Sequence, residues 1–203
     1  MGKITDIKPQ AKNKGRVNVF VDGEYFCALE KLTALEYRLK AGDEIDGEKL
    51  RAAISDSERT AAFDRAARYI GLRPRTEKEM RDYLAGKNYD EDVVAYVVEK
   101  LKGYGYIDDA EFARVYIDCV AHRYGKRKIE ANLKAKGVNS EIIDAALEEA
   151  DDQSEAVTRL CEKYLRSHPP DRRKLVAYLM SKGFDYDTVK SGIADIDLSG
   201  DDD

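Results

Sequence analysis

Three stretches of the chain carry apolar residues at helical spacing and superpose on one another. Val93, Val94, Val97 and Val98 align with Ile142, Ile143, Ala146 and Leu147, and again with Thr188, Val189, Gly192 and Ile193. Positions three and four apart fall on one side of a helix, so each stretch predicts a helix with one buried face. Upstream, Met80, Ile129 and Leu175 each stand four residues before a shared leucine, Leu84, Leu133 and Leu179. The copies are offset by 49 and then 46 residues.

The polar positions between these stripes have a mechanical meaning. Leu84-Ala-Gly-Lys87-Asn88-Tyr89-Asp90, Leu133-Lys-Ala-Lys136-Gly137-Val138-Asn139 and Leu179-Met-Ser-Lys182-Gly183-Phe184-Asp185 match without gaps. Asn88, Gly137 and Gly183 tolerate the left-handed conformation that ends a helix, and the apolar residue after each folds back on the last turn. Asp90, Asn139 and Asp185 then offer side-chain oxygens to the first free amides of the next helix. A longer helix is expected before each pair, over Glu58–Leu72, Asp109–Tyr124 and Glu155–His168, with Ser57, Asp108 and Ser154 as caps. Thr76 with Glu79 forms a capping-box signature. Arg73-Pro74-Arg75, Gly125 and Pro169-Pro170-Asp171 separate first helices from second. Nine helices in three units follow.

The first fifty residues alternate with period two instead. Ile4–Gln10 reads as a strand, Arg16–Val21 as a second, and Asp22-Gly23 as a tight turn into a third over Glu24–Leu29. Glu30–Arg38 reads as a short helix and Lys40–Ile45 as a turn into a capping strand or loop. A meander this small is not stable alone and is expected to dock on the first helices or on a partner. The fold class is therefore mainly α: an elongated array of three tandem three-helix repeats, helix-turn-helix-like, after a small N-terminal β-hairpin or meander. The expected divisions are 1–55 for the meander and short helix, 56–106, 107–151 and 152–196 for the repeats, and 197–203 for a disordered acidic tail.

Composition favours a stack over a single deep core, because 37% of the 203 residues are charged and none is Trp. Cys27, Cys119 and Cys161 are odd in number and unrelated in spacing, which speaks against a disulfide framework. The start Met1-Gly-Lys-Ile-Thr-Asp6 lacks an apolar signal core and no stretch is long enough to span a membrane, so a soluble cytoplasmic protein without membrane association is expected. A formal net charge of -5 excludes a global electrostatic grip on nucleic acid.

Locally the balance reverses. Arg65, Arg68, Arg73, Arg75, Lys78, Arg81 and Lys87 surround the second helix of the first copy. Arg123, Lys126, Arg127, Lys128, Lys134 and Lys136 surround that of the second, against Glu130 alone. Lys163, Arg166, Arg172, Arg173, Lys174 and Lys182 do so in the third, against Asp171 alone. A stacked array would present them as a recurrent basic edge, unless they are only solvated helix faces. Lys126, Arg127 and Lys128 open a helix, where positive charge opposes the helix dipole, a local cost that an anionic partner could offset.

Catalytic chemistry is scarce. His122 and His168 are too few for a metal cage, and Cys119 with His122 lacks a second ligand pair. Asp108 is better explained as a helix cap than as half of a carboxylate pair with Asp109. Gly103-Tyr-Gly-Tyr106 lacks the ending of a phosphate loop and reads as a linker packing its tyrosines between repeats. No nucleophile has an identifiable base, so neither an enzyme nor a cofactor is expected.

A family resemblance rests on three runs. Arg75-Thr-Glu-Lys-Glu-Met-Arg-Asp-Tyr-Leu84 with Lys87-Asn-Tyr89 is followed by Gly105-Tyr-Ile-Asp-Asp-Ala-Glu-Phe-Ala113 with Tyr116. Gly125-Lys-Arg-Lys-Ile129 with Leu133 and Lys136-Gly-Val138 completes the series. In this order they resemble the RecX family of bacterial recombination regulators, closely over Glu58–Ala150 and more loosely in the third copy. Ala131-Asn132 departs from the pattern, since members often carry an acidic residue beside a Leu there. The resemblance implies a monomeric protein that binds the RecA filament, inhibits RecA ATPase and strand exchange, and blocks growth of the filament or promotes its disassembly. Single-stranded DNA would be touched weakly or through RecA. The basic edge, Arg68, Arg73, Arg75, Lys78, Arg81, Arg123, Lys126, Arg127, Lys128, Arg172, Arg173 and Lys174, is then the expected surface for RecA or DNA. A stand-alone tandem helix-turn-helix DNA binder and a structural adaptor stay open as alternatives.

Overall fold

The computed structural model describes residues 2–150, 152–194 and 196. The expected acidic tail, 197–203, lies outside them. The chain forms two compact units, one taking in the chain as far as Pro74 together with Met80–Tyr106, the other Arg75–Glu79 together with the residues from Ile107 on.

The first unit opens on β1 (Ile4–Pro9), β2 (Arg16–Val21) and β3 (Glu24–Glu30), an antiparallel sheet in that order. Asp22 and Gly23, at φ 50 and 89, make the turn between β2 and β3. Val17 and Val19 point inward from β2 and meet Ile4 and Leu29 in a core completed by Ala34 and Ala53. Ala34 lies on α1 (Lys31–Glu36) and Ala53 on α2 (Gly47–Ile70). The meander thus docks on the first long helix. The Glu30 amide donates to Ser57 Oγ at 2.7 Å, and the Tyr37 hydroxyl donates to the Asp56 carboxylate.

This docking corrects the expected start of α2. The helix begins at Gly47, with Asp46 accepting from the amides of Glu48 and Lys49. Ser57 is no cap but a buried mid-helix residue. Leu50 and Ala53 are buried on the added turns, and that apolar face, pressed on the sheet, extends the helix back beyond the repeat. The rest of the first repeat is α3 (Glu77–Ala85), from Met80 on, and α4 (Glu91–Gly103). Val94, Val97, Val98 and Leu101 form the buried face of α4. Tyr104 and Tyr106 are 59% and 60% exposed, not packed as the linker reading expected.

In the second unit, α5 (Asp109–Val120), α6 (Lys126–Ala135) and α7 (Ser140–Glu149) form the second repeat, and α8 (Ser154–Leu165), α9 (Arg172–Ser181) and α10 (Tyr186–Gly192) the third. With α1, the described residues hold ten helices. Each of these two repeats has its own core, with Ile117, Ile129, Leu133 and Ile143 central in one and Cys161, Leu175, Leu179, Phe184 and Val189 in the other. Burial of each such side chain contributes roughly 1.5–3 kcal/mol.

The second-to-third helix turns are built as the residue pattern implied. Asn88, Gly137 and Gly183 have φ 61, 85 and 90. The amides of Tyr89, Val138 and Phe184 reach back to the carbonyls of Leu84, Leu133 and Leu179 at 3.4, 3.1 and 3.4 Å, which closes the helix end and folds the apolar side chain inward. Asn139 and Asp185 cap the helices that follow, whereas Asp90 stands at the cap position without a side-chain bond. Asp108 caps α5 through the amides of Ala110 and Glu111. Ser154 is not the cap of α8, because it is the first helical residue and its own amide and hydroxyl donate to Asp152.

Candidate basic interface

Within the second unit the second helices are joined in series by two clasps. At the first, the Thr76 hydroxyl, which opens α3, donates to the Lys136 carbonyl at the end of α6, at 2.7 Å. Lys136 Nζ lies 3.0 Å from Glu79 Oε1, and 5.6 and 6.0 Å from the ring centres of Phe112 and Tyr116. One repeat on, the amides of Gly125 and Arg127 at the start of α6 donate to the carbonyls of Lys182 and Gly183 past the end of α9, at 3.0 and 3.2 Å. Lys182 Nζ lies 6.0 and 5.3 Å from the rings of Tyr124 and Tyr178. Each clasp brings donors at one helix start, a hydroxyl at the first and backbone N–H groups at the second, to the carbonyls at another helix end, so the dipoles run head to tail.

The second clasp is a close backbone approach. A Cβ on Gly125 would stand 2.2 Å from the Phe184 amide nitrogen, and one on Gly183 2.5 Å from that of Lys128. Gly125 is therefore more than a break between helices. The dipole argument for Lys126, Arg127 and Lys128 is corrected by the same contact: the partial negative charge at the start of α6 comes from the Lys182 and Gly183 carbonyls, so no external anion is needed there.

The twelve basic candidates divide by what they touch. Lys126 Nζ donates to the Leu147 carbonyl at 3.0 Å and so ties down the end of α7. Lys174 pairs with Asp171 at 3.1 Å, Arg81 with Glu91 at 3.2 Å, and Arg68 Nε donates to the Asp64 carbonyl at 3.1 Å. Arg73 and Lys78 are exposed and Arg75 half-buried, each already engaged within the protein. Arg123, Arg127, Lys128, Arg172 and Arg173 are exposed and have no ion-pair partner among the described residues. The clasps hold the starts of α3, α6 and α9 in series. A ten-residue helix is about 15 Å long, which sets the interval between the clusters at Arg75–Lys78, Arg127–Lys128 and Arg172–Arg173.

Asn132, the departure from the family pattern, is half-buried and donates to the Tyr116 hydroxyl at 3.1 Å. In the third repeat that second-helix position is Tyr178, its ring centre 4.9 Å from Tyr164.

Comparison with known proteins assigns each segment. Residues 2–46 match the regulatory protein RecX N-terminal domain, and 62–101, 108–147 and 151–192 match the first, second and third three-helix domains of RecX. The regulatory protein RecX of Clostridium tetani is 32% identical over 200 residues, covering 94% of this chain and 93% of the relative. The chain belongs to the RecX family. The RecX of Clostridium beijerinckii is 34% identical over 202 residues, 95% of each chain. A crystal structure of regulatory protein RecX superposes with a TM-score of 0.72 at 28% identity, covering 96% of this chain and all of that one. RecX is by name a regulatory family, and three tandem three-helix domains after an N-terminal domain are its layout. No helix among the described residues is long and apolar enough to cross a membrane.

Residue-by-residue reading missed the clasp residues Thr76, Lys136 and Lys182 as a set. The one signal available was the lysine repeated at the same turn position in every copy, Lys87, Lys136 and Lys182.

Proposed function

We propose that this RecX protein is a non-enzymatic regulator that binds RecA and its filament on single-stranded DNA, and lowers RecA ATP hydrolysis and strand exchange by blocking filament growth or promoting disassembly. It acts as a monomer in the cytoplasm, in homologous recombination, DNA repair and the SOS response. Membership of the RecX family carries this reading. The layout supports it, because the second and third repeats place cations without ion-pair partners, Arg127 with Lys128 and Arg172 with Arg173, one helix length or about 15 Å apart, which suits a partner that itself repeats. The helix-turn-helix alternative reads bases with the first residues of a second helix, and at α6 the backbone at that helix start is held against the Lys182-Gly183 turn. The test is RecA ATPase on single-stranded DNA with increasing amounts of the protein. Hydrolysis is expected to fall below equimolar protein, with no hydrolysis by the protein alone. Unchanged hydrolysis at equimolar protein would remove the proposal.

A further inference from the structure

One face of the first repeat carries four aromatic rings with two cations set among them. Arg59 and Phe63 come from α2, Tyr96 and Lys100 from α4, and Tyr104 and Tyr106 from the segment after α4. The Arg59 guanidinium lies 4.6 Å from the centre of Tyr96, and Lys100 Nζ lies 5.0 and 5.6 Å from Phe63 and Tyr96. Phe63 meets Tyr104, and Tyr104 meets Tyr106, each at 6.1 Å and close to edge-on. Edge-on packing leaves ring faces uncovered, and Tyr96, Tyr104 and Tyr106 are 40%, 59% and 60% exposed. Carboxylates stand near: Asp56 is 3.5 Å from Arg59, and Glu99 is 3.3 Å from Lys102. Lys100 has no carboxylate partner among the described residues.

We infer that this face binds an unpaired nucleic-acid strand directly, stacking bases on Tyr104 and Tyr106 and meeting phosphates with Lys100. Exposed rings interleaved with cations match a ligand that alternates flat apolar groups with anions. Ring orientation selects the single strand. Bases in a duplex strand stack parallel about 3.4 Å apart, whereas the planes of Tyr104 and Tyr106 are 68° apart. Bases seated on neighbouring rings must therefore leave their own stack, which an unpaired strand permits and a duplex opposes. The surface is built from first-unit residues alone, whereas the basic clusters belong to the second unit, and it needs no RecA, so it goes beyond the regulator reading.

The experiment uses the full chain, with far-UV circular dichroism confirming that each variant is folded. Fluorescence anisotropy follows a labelled oligo-dT strand, an abasic strand of the same length and a duplex, at low salt and without RecA. The oligo-dT strand is expected to bind more tightly than either of the others. Tyr104→Ala with Tyr106→Ala should weaken that binding about tenfold or more. Tyr104→Phe with Tyr106→Phe should hold it within about twofold, since stacking needs the ring and not the hydroxyl. An abasic strand bound as tightly as oligo-dT, an alanine pair that binds like wild type, or no binding at about 10⁻⁴ M protein, the weak end of non-specific association, would overturn the inference. An alanine pair that changes only RecA inhibition would also overturn it, by assigning the rings to a protein partner. Because RecA is absent here, failure leaves the regulator proposal standing, and a failed ATPase assay leaves this one.

Discussion

At the scale of single residues, the second clasp makes Gly125 the most constrained small residue described. Its missing side chain is filled by the backbone of Gly183 and Phe184, atoms that cannot rotate aside. Gly125→Ala is expected to cost about 1–3 kcal/mol or more, as overpacking does, read as a lower urea midpoint. Gly103 is the matched control, since a Cβ there meets nothing within 4 Å. Gly103→Ala should stabilise by about 0.4–1 kcal/mol through the unfolded chain. Cysteine reactivity separates in the same way. Burial pushes the Cys161 thiol up to about 11, while Cys119 is exposed. Since the thiolate is the reactive form, titration with a thiol reagent at pH 8 should modify Cys119 first and Cys161 only with denaturant. Equal rates at the two sites in the folded protein would contradict the packing of the third core.

At the scale of elements, the caps connect helix starts to pH. The Asp185 carboxyl is held below its usual 3.8, chiefly by the Thr188 amide and then by the Thr188 hydroxyl. Asp171 is lowered chiefly by the Lys174 amide, then by the Lys174 side chain. A carboxyl with a depressed folded value contributes stability that is present above the unfolded value and lost as pH falls through the folded one. Asp185→Asn should therefore flatten the fall in urea midpoint below about pH 3.8 while changing little of the slope above it. Such caps were legible in the sequence because a left-handed residue, an apolar residue and a side-chain oxygen sit within six positions of one another. The start of α2 was not legible, because Leu50 and Ala53 acquire their buried face only from a sheet laid down earlier in the chain. The clasps were less legible still. They use backbone carbonyls, which every residue possesses, and Thr76 finds Lys136 sixty positions away. The basic candidates were visible as charge clusters, but which cations are spent inside the fold depends on neighbours such as Leu147, whose carbonyl takes Lys126.

At the scale of the whole molecule, the question is which cations remain to meet a partner. The protein is acidic, with a net charge of -5, so an anionic partner is attracted only where cations are locally unpaired. Arg127, Lys128, Arg172 and Arg173 satisfy that condition in the second unit, and one second-helix length separates the two pairs. Lys126 does not, because its ammonium holds the end of α7. Glutamine at Arg127, Lys128, Arg172 and Arg173 together should leave the urea midpoint close to wild type, weaken inhibition of RecA ATPase, and flatten its dependence on salt. For contacts to single-strand phosphates the loss of slope is roughly 0.7 for each contact removed. Contacts to acidic RecA side chains would also weaken with salt but would persist in filament-free binding to RecA, which separates the two partners. Lys126→Gln should behave oppositely, lowering stability through the freed Leu147 carbonyl with little change in salt dependence. If the fourfold variant inhibits like its parent from 50 to 200 mM salt, the range over which phosphate contacts lose most of their strength, these charges serve solubility and the filament is held by another face.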